Sequence, residues 1–361
     1  MNMRDADPMI LDQGPSSESA ITVRDYAAAD ADRWERFVTG CSDATFFHRI
    51  GWKDVIERAF KHRTHFMLAE RAGEIVVVLP LAQVKSWLFG HSLVSLPFCV
   101  YGGVASTDPR AIAALHQAAR ALAERLGVDH LELRNRSLRE PNWPQQDLYV
   151  TFRRALEPSV DANMLAIPRK QRAMVRKGIG KNLTIAIDPT IDRFFALYAD
   201  NVHRHGTPPL PKRYFELLRE VFGDDVETQI VLDPNGNPLS GVLSFYWRDE
   251  VLPYYAGDYP AARDLAANDF KYWALMRRAT ERGIALFDYG RSKRETGSFD
   301  FKKNWGFEAA PLHYEYVLVK RDAIPQNNPN NPKYKALIKT WRRLPLPVAN
   351  AIGPYITRHL G

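Results

Sequence analysis

The chain has 361 residues, of which 45% are apolar and 11% aromatic, a composition that indicates a folded globular protein and excludes a disordered or collagen-like chain. The formal net charge of +7 favours anionic partners such as phosphates, nucleotides, tRNA or anionic lipid headgroups, without selecting one of them. No apolar run reaches the ~18 residues that a bilayer-spanning helix needs.

Two cysteines, Cys41 and Cys99, lie far apart in the sequence and predict no disulfide framework, so we expect a reduced, cytoplasmic protein. Residues 1–19 lack a basic segment followed by an apolar one, and we interpret them as a disordered tail and not as a signal peptide. No set of histidines and cysteines has the spacing of a metal site, so none is predicted.

Residues 20–160 alternate strand and helix patterns and predict a first domain. Residues 65–86 contain two apolar runs joined by an Ala-Gly turn, which is typical of a β-hairpin. Residues 108–127 form an amphipathic pattern in which Asp108 is the predicted N-cap and Gly127 follows the last helical position.

Residues 161–320 repeat this order and predict a second domain. Each half has a hairpin, a strand, a glycine break, a long helix and a strand, and overlaying 126–135 on 282–291 places the halves 156 residues apart. Five elements in one order indicate a duplicated domain. The strand pattern at 148–156 is predicted to complete the first copy.

A basic helix opens the second half. Residues 168–181 contain six lysines and arginines and no acid, and Arg169, Lys170 and Arg172 are the candidate contacts. We interpret this helix as a phosphate-binding or tRNA-facing surface, with a solvated helix bridging two domains as the alternative.

The last segment, 321–361, is predicted to be a polar linker followed by basic amphipathic helices. Residues 333–361 combine large apolar side chains with lysines and arginines. Such a segment can dock on its own protein, which we favour, or make peripheral contact with the inner face of the cytoplasmic membrane.

The polar loop at 287–308 carries the strongest sign of chemistry, because it follows a short apolar strand that breaks at Gly290. It contains Asp288 and Arg291, three positions apart, and Lys302 and Lys303 between two aromatic residues. If 299–305 is a strand, the two lysines point to opposite faces and only one can face a site. The alternative is a surface hairpin with ordinary charges.

Common signatures of nucleotide and acyl chemistry are absent. There is no GxxxxGK[ST] loop and no GxSxG elbow. The glycine-rich acetyl-CoA loop, [RQ]xxGx[GA], is not met at 259–269, where no glycine follows Gly257. A predicted helix N-terminus still follows this break and can receive an anion.

Four segments together resemble the FemAB family of peptidoglycan bridge aminoacyltransferases. They are TFFHRIGWKDVI at 45–56, RAMVRKGIGKNLTIAI at 172–187, FDYGR at 287–291 and SFDFKKNWG at 298–306. The tail at 341–361 is similar to the FemAB-like subgroup associated with exosortase and PEP-CTERM exopolysaccharide systems.

The resemblance implies an α/β fold of two tandem GNAT-like domains, each a mixed, mostly antiparallel sheet flanked by helices, with one catalytic cleft. It implies transfer of an acyl or aminoacyl group to an amine. Lys302 matches the family lysine that contributes to transition-state stabilisation. Asn304 stands where the family has a glycine, and the long coiled-coil arm of some members is absent, which argues against tRNA as donor.

We therefore expect an N-acyltransferase acting on an amine of a cell-envelope or exopolysaccharide precursor. The expected co-substrate is acyl-CoA or aminoacyl-tRNA, with no tightly bound cofactor and no DNA partner. Two alternatives stay open: a CoA-dependent acyltransferase acting on an amino sugar, and a non-catalytic scaffold of a polysaccharide or PEP-CTERM assembly system.

Three residues have predicted catalytic roles. Lys302 is the cation for the oxyanion, Arg291 binds a carboxylate or phosphate, and Asp288 orients Arg291 or accepts a proton through water. The predicted substrate-binding residues are Tyr255, Tyr289, Ser298, Phe301, Lys303, Trp305, Arg169, Lys170 and Arg172.

Overall fold

The computed structural model describes residues 20–86, 90–325 and 338–360. The predicted disordered tail at 1–19 lies outside these residues. So does the stretch from 326 to 337, which contains most of the predicted polar linker and the first residues of the predicted basic amphipathic segment at 333–361. Within the described residues, none of the helices combines the length and the apolar character needed to cross a bilayer.

The first sheet has seven strands, and it is built mostly from the first half of the chain. They are β1 (Ile21–Asp25), β2 (Arg63–Arg71), β3 (Glu74–Ser86), β4 (Gly90–Val94), β5 (His130–Asn135), β6 (Gln145–Gln146) and β15 (His313–Leu318). Their order is β1-β2-β3-β4-β5-β15-β6, and only β4 and β5 run parallel. The predicted hairpin at 65–86 is confirmed by β2 and β3, with β2 beginning two residues earlier.

The second sheet is built mostly from the second half. Its strands are β7 (Tyr149–Ala155), β8 (Thr184–Asp188), β9 (Val226–Leu232), β10 (Pro238–Trp247), β11 (Glu250–Asp258), β12 (Leu286–Asp288), β13 (Ser292–Lys293) and β14 (Ala309–Pro311). Their order is β13-β7-β12-β11-β10-β9-β8, with β14 also on β7. Only β11 and β12 run parallel.

Helices flank both sheets. They are α1 (Ala31–Gly40), α2 (Gly51–Phe60), α3 (Pro109–Leu126), α4 (Val160–Ala166), α5 (Arg169–Gly180), α6 (Asp192–His205), α7 (Lys212–Phe222), α8 (Ala267–Glu281), α9 (Gly297–Asn304) and the C-terminal helix Leu346–Thr357. The prediction for α3 is confirmed: the Asp108 side chain accepts from Arg110 N at 2.9 Å, and Gly127 has a φ of +59°. The basic helix predicted at 168–181 is α5.

The two halves exchange one strand each. Strand β15 leaves the second half and pairs with β5 over six positions of the first sheet, from His313–Asn135 to Leu318–His130. Strand β7 pairs with β12, β13 and β14 of the second sheet. The prediction that 148–156 completes the first copy is therefore wrong. Alternating apolar residues predict a strand, but they do not identify its partner.

An aromatic cluster also joins the halves. Phe46, from the segment before α2, stacks on Phe245 of β10 with ring centroids 4.5 Å apart, and it contacts Phe222 of α7 at 4.8 Å. Trp52 of α2 contacts the same two side chains. Burial of each such ring contributes about 2–3 kcal/mol. The halves therefore pack through a shared apolar core.

Candidate active site between the two halves

The parallel strands β11 and β12 separate soon after they begin to pair. They pair only at Glu250–Leu286 and Val251–Phe287. Between Glu250 and Arg291, all of which the structure describes, no backbone hydrogen bond joins the two strands beyond Val251. We call the space between residues 252–257 and the turn at 288–291 the wedge. Backbone groups on this edge of β11 have no strand partner.

A β-bulge shapes the β11 side of the wedge. The β10–β11 register shifts between Leu243 and Ser244, which leaves Tyr254 as the extra residue on β11. The Tyr254 hydroxyl donates to the Phe98 carbonyl of the first half at 2.8 Å. The bulge therefore ties the wedge to the first half.

The predicted residue Tyr255 lies next to this bulge in an aromatic group. Its hydroxyl is 3.0 Å from that of Tyr214, and its ring contacts Tyr198 and Phe215 edge-on. Burial raises the pKa of Tyr255 well above its ordinary value, so the hydroxyl stays protonated.

Asp288, at the end of β12, is buried, and both of its carboxylate oxygens accept hydrogen bonds. Its carboxylate accepts from Arg153 Nε at 3.0 Å, Gly290 N at 2.7 Å, Tyr101 Oη at 3.2 Å and Thr151 Oγ1 at 3.3 Å. Burial raises its pKa, which the Arg153 guanidinium opposes. Since none of these donors belongs to Arg291, the predicted direct orientation of that arginine is not observed. Asp288 fixes the turn.

Arg291 is a cation without a carboxylate counter-ion among the described residues. Its guanidinium carbon lies 4.4 Å from the Tyr149 ring centroid, and Nη1 donates to the Tyr314 hydroxyl at 3.1 Å. No carboxylate of the described residues comes within 4.0 Å of it. Because a guanidinium has five donors, most of its capacity is left for an anion.

Lys302 lies on helix α9, and its side chain contacts the turn at 288–291. Its Nζ donates to the carbonyl oxygens of Tyr289 at 2.7 Å, Gly290 at 3.0 Å and Arg291 at 3.1 Å. All three ammonium protons are therefore used within the protein. Burial lowers the pKa of Lys302 to about 7, which Asp288 opposes.

The conditional assignment of 299–305 to a strand is wrong, because α9 spans these positions up to Asn304 and its N-cap, Thr296, accepts from Phe299 N. The two lysines still diverge, since neighbouring helical residues differ by about 100° in direction. Lys302 is buried and Lys303 is exposed.

Comparison with known proteins identifies the fold that carries these residues. Residues 167–303 match a family model described as an acetyltransferase (GNAT) domain. The chain has a FemAB-like, tandem GNAT fold. The predicted fold class is thereby confirmed, whereas the PEP-CTERM subgroup stays a prediction. No curated protein sequence matches the chain.

Three solved structures illustrate the likeness. FemX has a TM-score of 0.64 at 15% identity, covering 83% of this chain and 98% of its own. The C-terminal domain of a putative lysylphosphatidylglycerol synthetase from Agrobacterium fabrum has a TM-score of 0.53 at 13% identity, covering 80% and 92%. A tandem GNAT protein from the clavulanic acid biosynthesis pathway has a TM-score of 0.52 at 13% identity, covering 84% and 100%.

Three predicted aromatic residues belong to one apolar cluster of the second half, Tyr289 and Trp305 within it and Phe301 packed against it. Trp305 is fully buried and donates to Asp269 Oδ1 at 3.1 Å. Tyr289 is buried and Phe301 is half-buried, and both contact the Tyr272 ring. The aromatic rings near the Lys302 ammonium are those of Tyr289 and Phe152, and not those of Phe301 and Trp305, which lie on either side of the lysine pair in sequence.

Two further predicted residues lie on the surface of α9. The Ser298 hydroxyl is exposed and lies 3.1 Å from that of Thr296, near the helix start. Lys303 is exposed near the helix end. Their substrate-binding roles stay predictions, because neither side chain is brought to the Asp288–Arg291 turn.

The predicted basic residues lie on α5, beside the start of α8. Arg169 and Lys170 are exposed and Arg172 is half-exposed, and none has a carboxylate of the described residues within 4.0 Å. Gly178 of α5 packs on Ala266, where an added Cβ would lie 3.3 Å from the Ala266 carbonyl oxygen. Free cations and a helix N-terminus therefore adjoin each other, an arrangement that suits anionic groups.

Residues that sequence reasoning missed complete the turn. Arg153, Thr151 and Tyr149 come from β7, Tyr314 comes from β15, and Tyr101 comes from the loop before α3. No sequence pattern near these residues identifies them as part of the site, because their position depends on the strand exchange. Among the described residues, no three histidine, cysteine, aspartate or glutamate side chains form a group that could hold a metal.

Proposed function

We propose that the chain is an N-acyltransferase that transfers an acyl or aminoacyl group to an amine of a cell-envelope or exopolysaccharide precursor. The observation that carries this proposal is Arg291, whose guanidinium has no carboxylate partner in the described part of the chain. It lies beside the unpaired edge of β11 in the half that matches the acetyltransferase model. The unpaired edge of β11 provides backbone N–H donors, and the Arg291 guanidinium provides a binding site for an anion.

The proposed reaction is direct attack of the amine on the carbonyl carbon of an ester or thioester. A C–N bond forms, the C–O or C–S bond breaks, and the amine proton passes through solvent to the departing oxygen or sulfur. Backbone N–H groups of β11 that face the wedge would stabilise the oxyanion. Lys302 would add positive charge and hold the turn, since its protons are already donated.

A covalent enzyme intermediate is not part of the proposal. Cys99 is fully buried, and burial raises the pKa of its thiol well above the ordinary value. A buried, protonated thiol is a poor nucleophile. Direct transfer between the two substrates accounts for the site without an activated side chain.

The donor would present its phosphates to α5 and the start of α8. Both acyl-CoA and aminoacyl-tRNA carry such phosphates. The acetyltransferase match supports acyl-CoA as the donor, which is also the donor in the alternative of a CoA-dependent enzyme. The row of cations on α5, none of which has a carboxylate of the described residues within 4.0 Å, supports a larger polyanion as donor.

Donor profiling tests the proposal. Purified protein is incubated with a nucleotide-linked amino sugar or muropeptide acceptor and either radiolabelled aminoacyl-tRNA or labelled acyl-CoA. We expect label on the acceptor amine with one donor class, and loss of this transfer in Arg291→Ala. Folded protein that transfers nothing from either donor, yet captures a polysaccharide-assembly protein, would support the scaffold alternative instead.

A further inference from the structure

The C-terminal helix Leu346–Thr357 docks on the protein through a face of small residues. Ala349, Gly353 and Thr357 are buried. The Thr357 hydroxyl donates to the Pro209 carbonyl at 3.1 Å, and an added Cβ on Gly353 would lie 2.5 Å from Pro209 Cδ. The loop between α6 and α7 therefore fixes the orientation of this helix.

The opposite face of the helix is apolar and exposed. Val348, Ile352 and Tyr355 follow one another at helical spacing and are 43%, 41% and 71% exposed. With Leu360 they make up four of the eight large apolar side chains that are exposed among the described residues. Residues 346–357 contain no charged side chain, whereas a helix facing water normally places charges on its outer side.

Basic side chains surround this apolar stripe. Lys339, Arg342 and Arg343 precede the helix and are exposed, and Arg358 follows it. None of these four has a carboxylate of the described residues within 4.0 Å. The sequence contains no aspartate or glutamate after Asp322. The stripe therefore has a basic border at both ends.

The first half of the chain extends this border. His62 Nε2 lies 2.6 Å from the Arg358 carbonyl oxygen, and the exposed residues Lys61 and Arg63 flank His62 in sequence. Cations from both halves thus lie near the ends of the helix that carries the apolar stripe.

We propose that this surface, formed by Val348, Ile352, Tyr355 and their basic border, lies on an anionic phospholipid bilayer. The apolar side chains enter the boundary between headgroups and acyl chains, while the arginines and lysines contact lipid phosphates. The helix is about 18 Å long, so it lies in the interface and does not span it. Pairing with a second copy would bring like charges together, which disfavours a dimer through this face.

Vesicle co-sedimentation tests the proposal without any catalytic assay. The full chain is mixed with vesicles of phosphatidylcholine alone or with about 30% phosphatidylglycerol, at about 0.1 M salt. We expect at least tenfold tighter binding to the anionic vesicles, and weaker binding as salt rises.

Two variants separate the contributions of the stripe and its border. Val348→Gln/Ile352→Gln/Tyr355→Gln removes the apolar stripe and should abolish vesicle binding. Arg342→Gln/Arg343→Gln should weaken binding about 30-fold, at about one order of magnitude or less per arginine. Matched controls on other surfaces, Ile187→Gln and Arg36→Gln/Arg120→Gln, should bind like the unchanged protein.

Three results would overturn the proposal: no binding to anionic vesicles, equal binding to both vesicle types, or unchanged binding in both variants. Light scattering identifies the competing occupant. A dimer that the stripe variant converts to a monomer, without vesicle binding by the unchanged protein, would assign this face to a second copy. Circular dichroism shows that each variant is folded, so loss of binding is not loss of structure.

Discussion

The two halves differ at the same topological position, the place where the two parallel strands of each sheet separate. In the first half, the parallel strands β4 and β5 also diverge, after Val94 and Glu132. There the chain itself fills the space: Gly102 N and Gly103 N both donate to the Arg134 carbonyl, at 3.2 and 3.1 Å. We call residues 95–103 the plug. The corresponding space in the second half is the wedge, where β11 and the turn after β12 share no backbone hydrogen bond.

The arginines beside these two positions differ in the same way. Arg134 pairs with Glu132 at 2.7 Å and also donates to the Cys99 carbonyl at 2.7 Å, so its charge is balanced within the protein. Arg291 has aromatic neighbours and, among the described residues, no such carboxylate. One copy of the fold therefore satisfies its arginine internally, whereas in the described part of the other copy most donors of the arginine have no protein partner.

Replacing Arg291 should have the largest effect on activity. We expect Arg291→Ala to lower kcat/KM by about 100-fold or more, because the substrate anion loses its charged partner in a partly buried site. Arg291→Lys should recover only part of this loss, since an ammonium cannot make the same bidentate contact. Steady-state kinetics with the donor found by profiling gives the measurement.

Arg294→Ala is the matched control for Arg291, because Arg294 lies three residues later and pairs with the exposed Asp147. Its activity should stay within about twofold of the unchanged protein. Equal losses in the two variants would show that the wedge has no special use for Arg291, and the contrast between the halves would then concern packing alone.

Replacing Lys302 should weaken both stability and turnover. Lys302→Met leaves three buried carbonyl groups without their donor, so we expect the free energy of unfolding to fall by about 2–3 kcal/mol. Urea denaturation measures this loss, and Lys303→Met, on the exposed side of α9, should stay within about 0.5 kcal/mol. A folded Lys302→Ala protein with full transfer activity would remove this lysine from the mechanism.

Alanine at one glycine in each half separates stability from activity. In the plug, an added Cβ at Gly103 would lie 1.8 Å from Asn135 Oδ1, and Gly103→Ala should cost about 1–3 kcal/mol of stability. In the turn, Gly290 has a φ of +66° with Leu252 Cδ1 3.3 Å from its added Cβ. Gly290→Ala should cost about 1 kcal/mol of stability and mainly lower kcat. The reverse pattern would contradict the assignment of plug and wedge.

The pH dependence should report the protonation of Lys302. Its pKa is lowered from 10.5 to about 7 in the folded protein. Between these values the unfolded chain holds the proton and the folded chain does not, so this group makes stability rise with pH above about 7 and contributes no slope well below it. The contacts from the ammonium to the three carbonyls weaken over the same window.

Activity that needs the charged lysine should therefore fall as pH rises through 7. Lys302→Arg keeps its charge, so the ratio of its activity to that of the unchanged protein should increase above pH 7. Parallel pH–rate profiles for the two proteins would show that this proton is irrelevant to turnover. Circular dichroism across the same pH range checks that both remain folded.

The smallest effect is expected on α5. Arg169→Gln/Lys170→Gln/Arg172→Gln should raise the KM for the donor by about three- to tenfold at low salt and leave kcat unchanged, because exposed cations act through a screened field. The same set of changes should have less effect as salt rises. An unchanged KM in this variant would show that the donor does not bind at α5.

Sequence by itself determined the local elements and the region of interest. Periodicity and capping predicted the β2–β3 hairpin, α3 and α5, since these signals act within a few residues of one another. The internal repeat and the FemAB-like segments predicted two tandem GNAT folds. They also directed attention to the turn at 288–291 and to Lys302.

Tertiary structure alone decided what surrounds that turn. The exchange of β7 and β15 brings Arg153 to Asp288 and Tyr314 to Arg291, from positions 135 and 23 residues away. Strand pairing across such distances depends on the packing of whole sheets, so a strand pattern cannot identify it. That packing decides which groups surround the Lys302 ammonium, and they are three carbonyl oxygens. It also decides that the chain fills the space between β4 and β5 but leaves β11 and β12 apart.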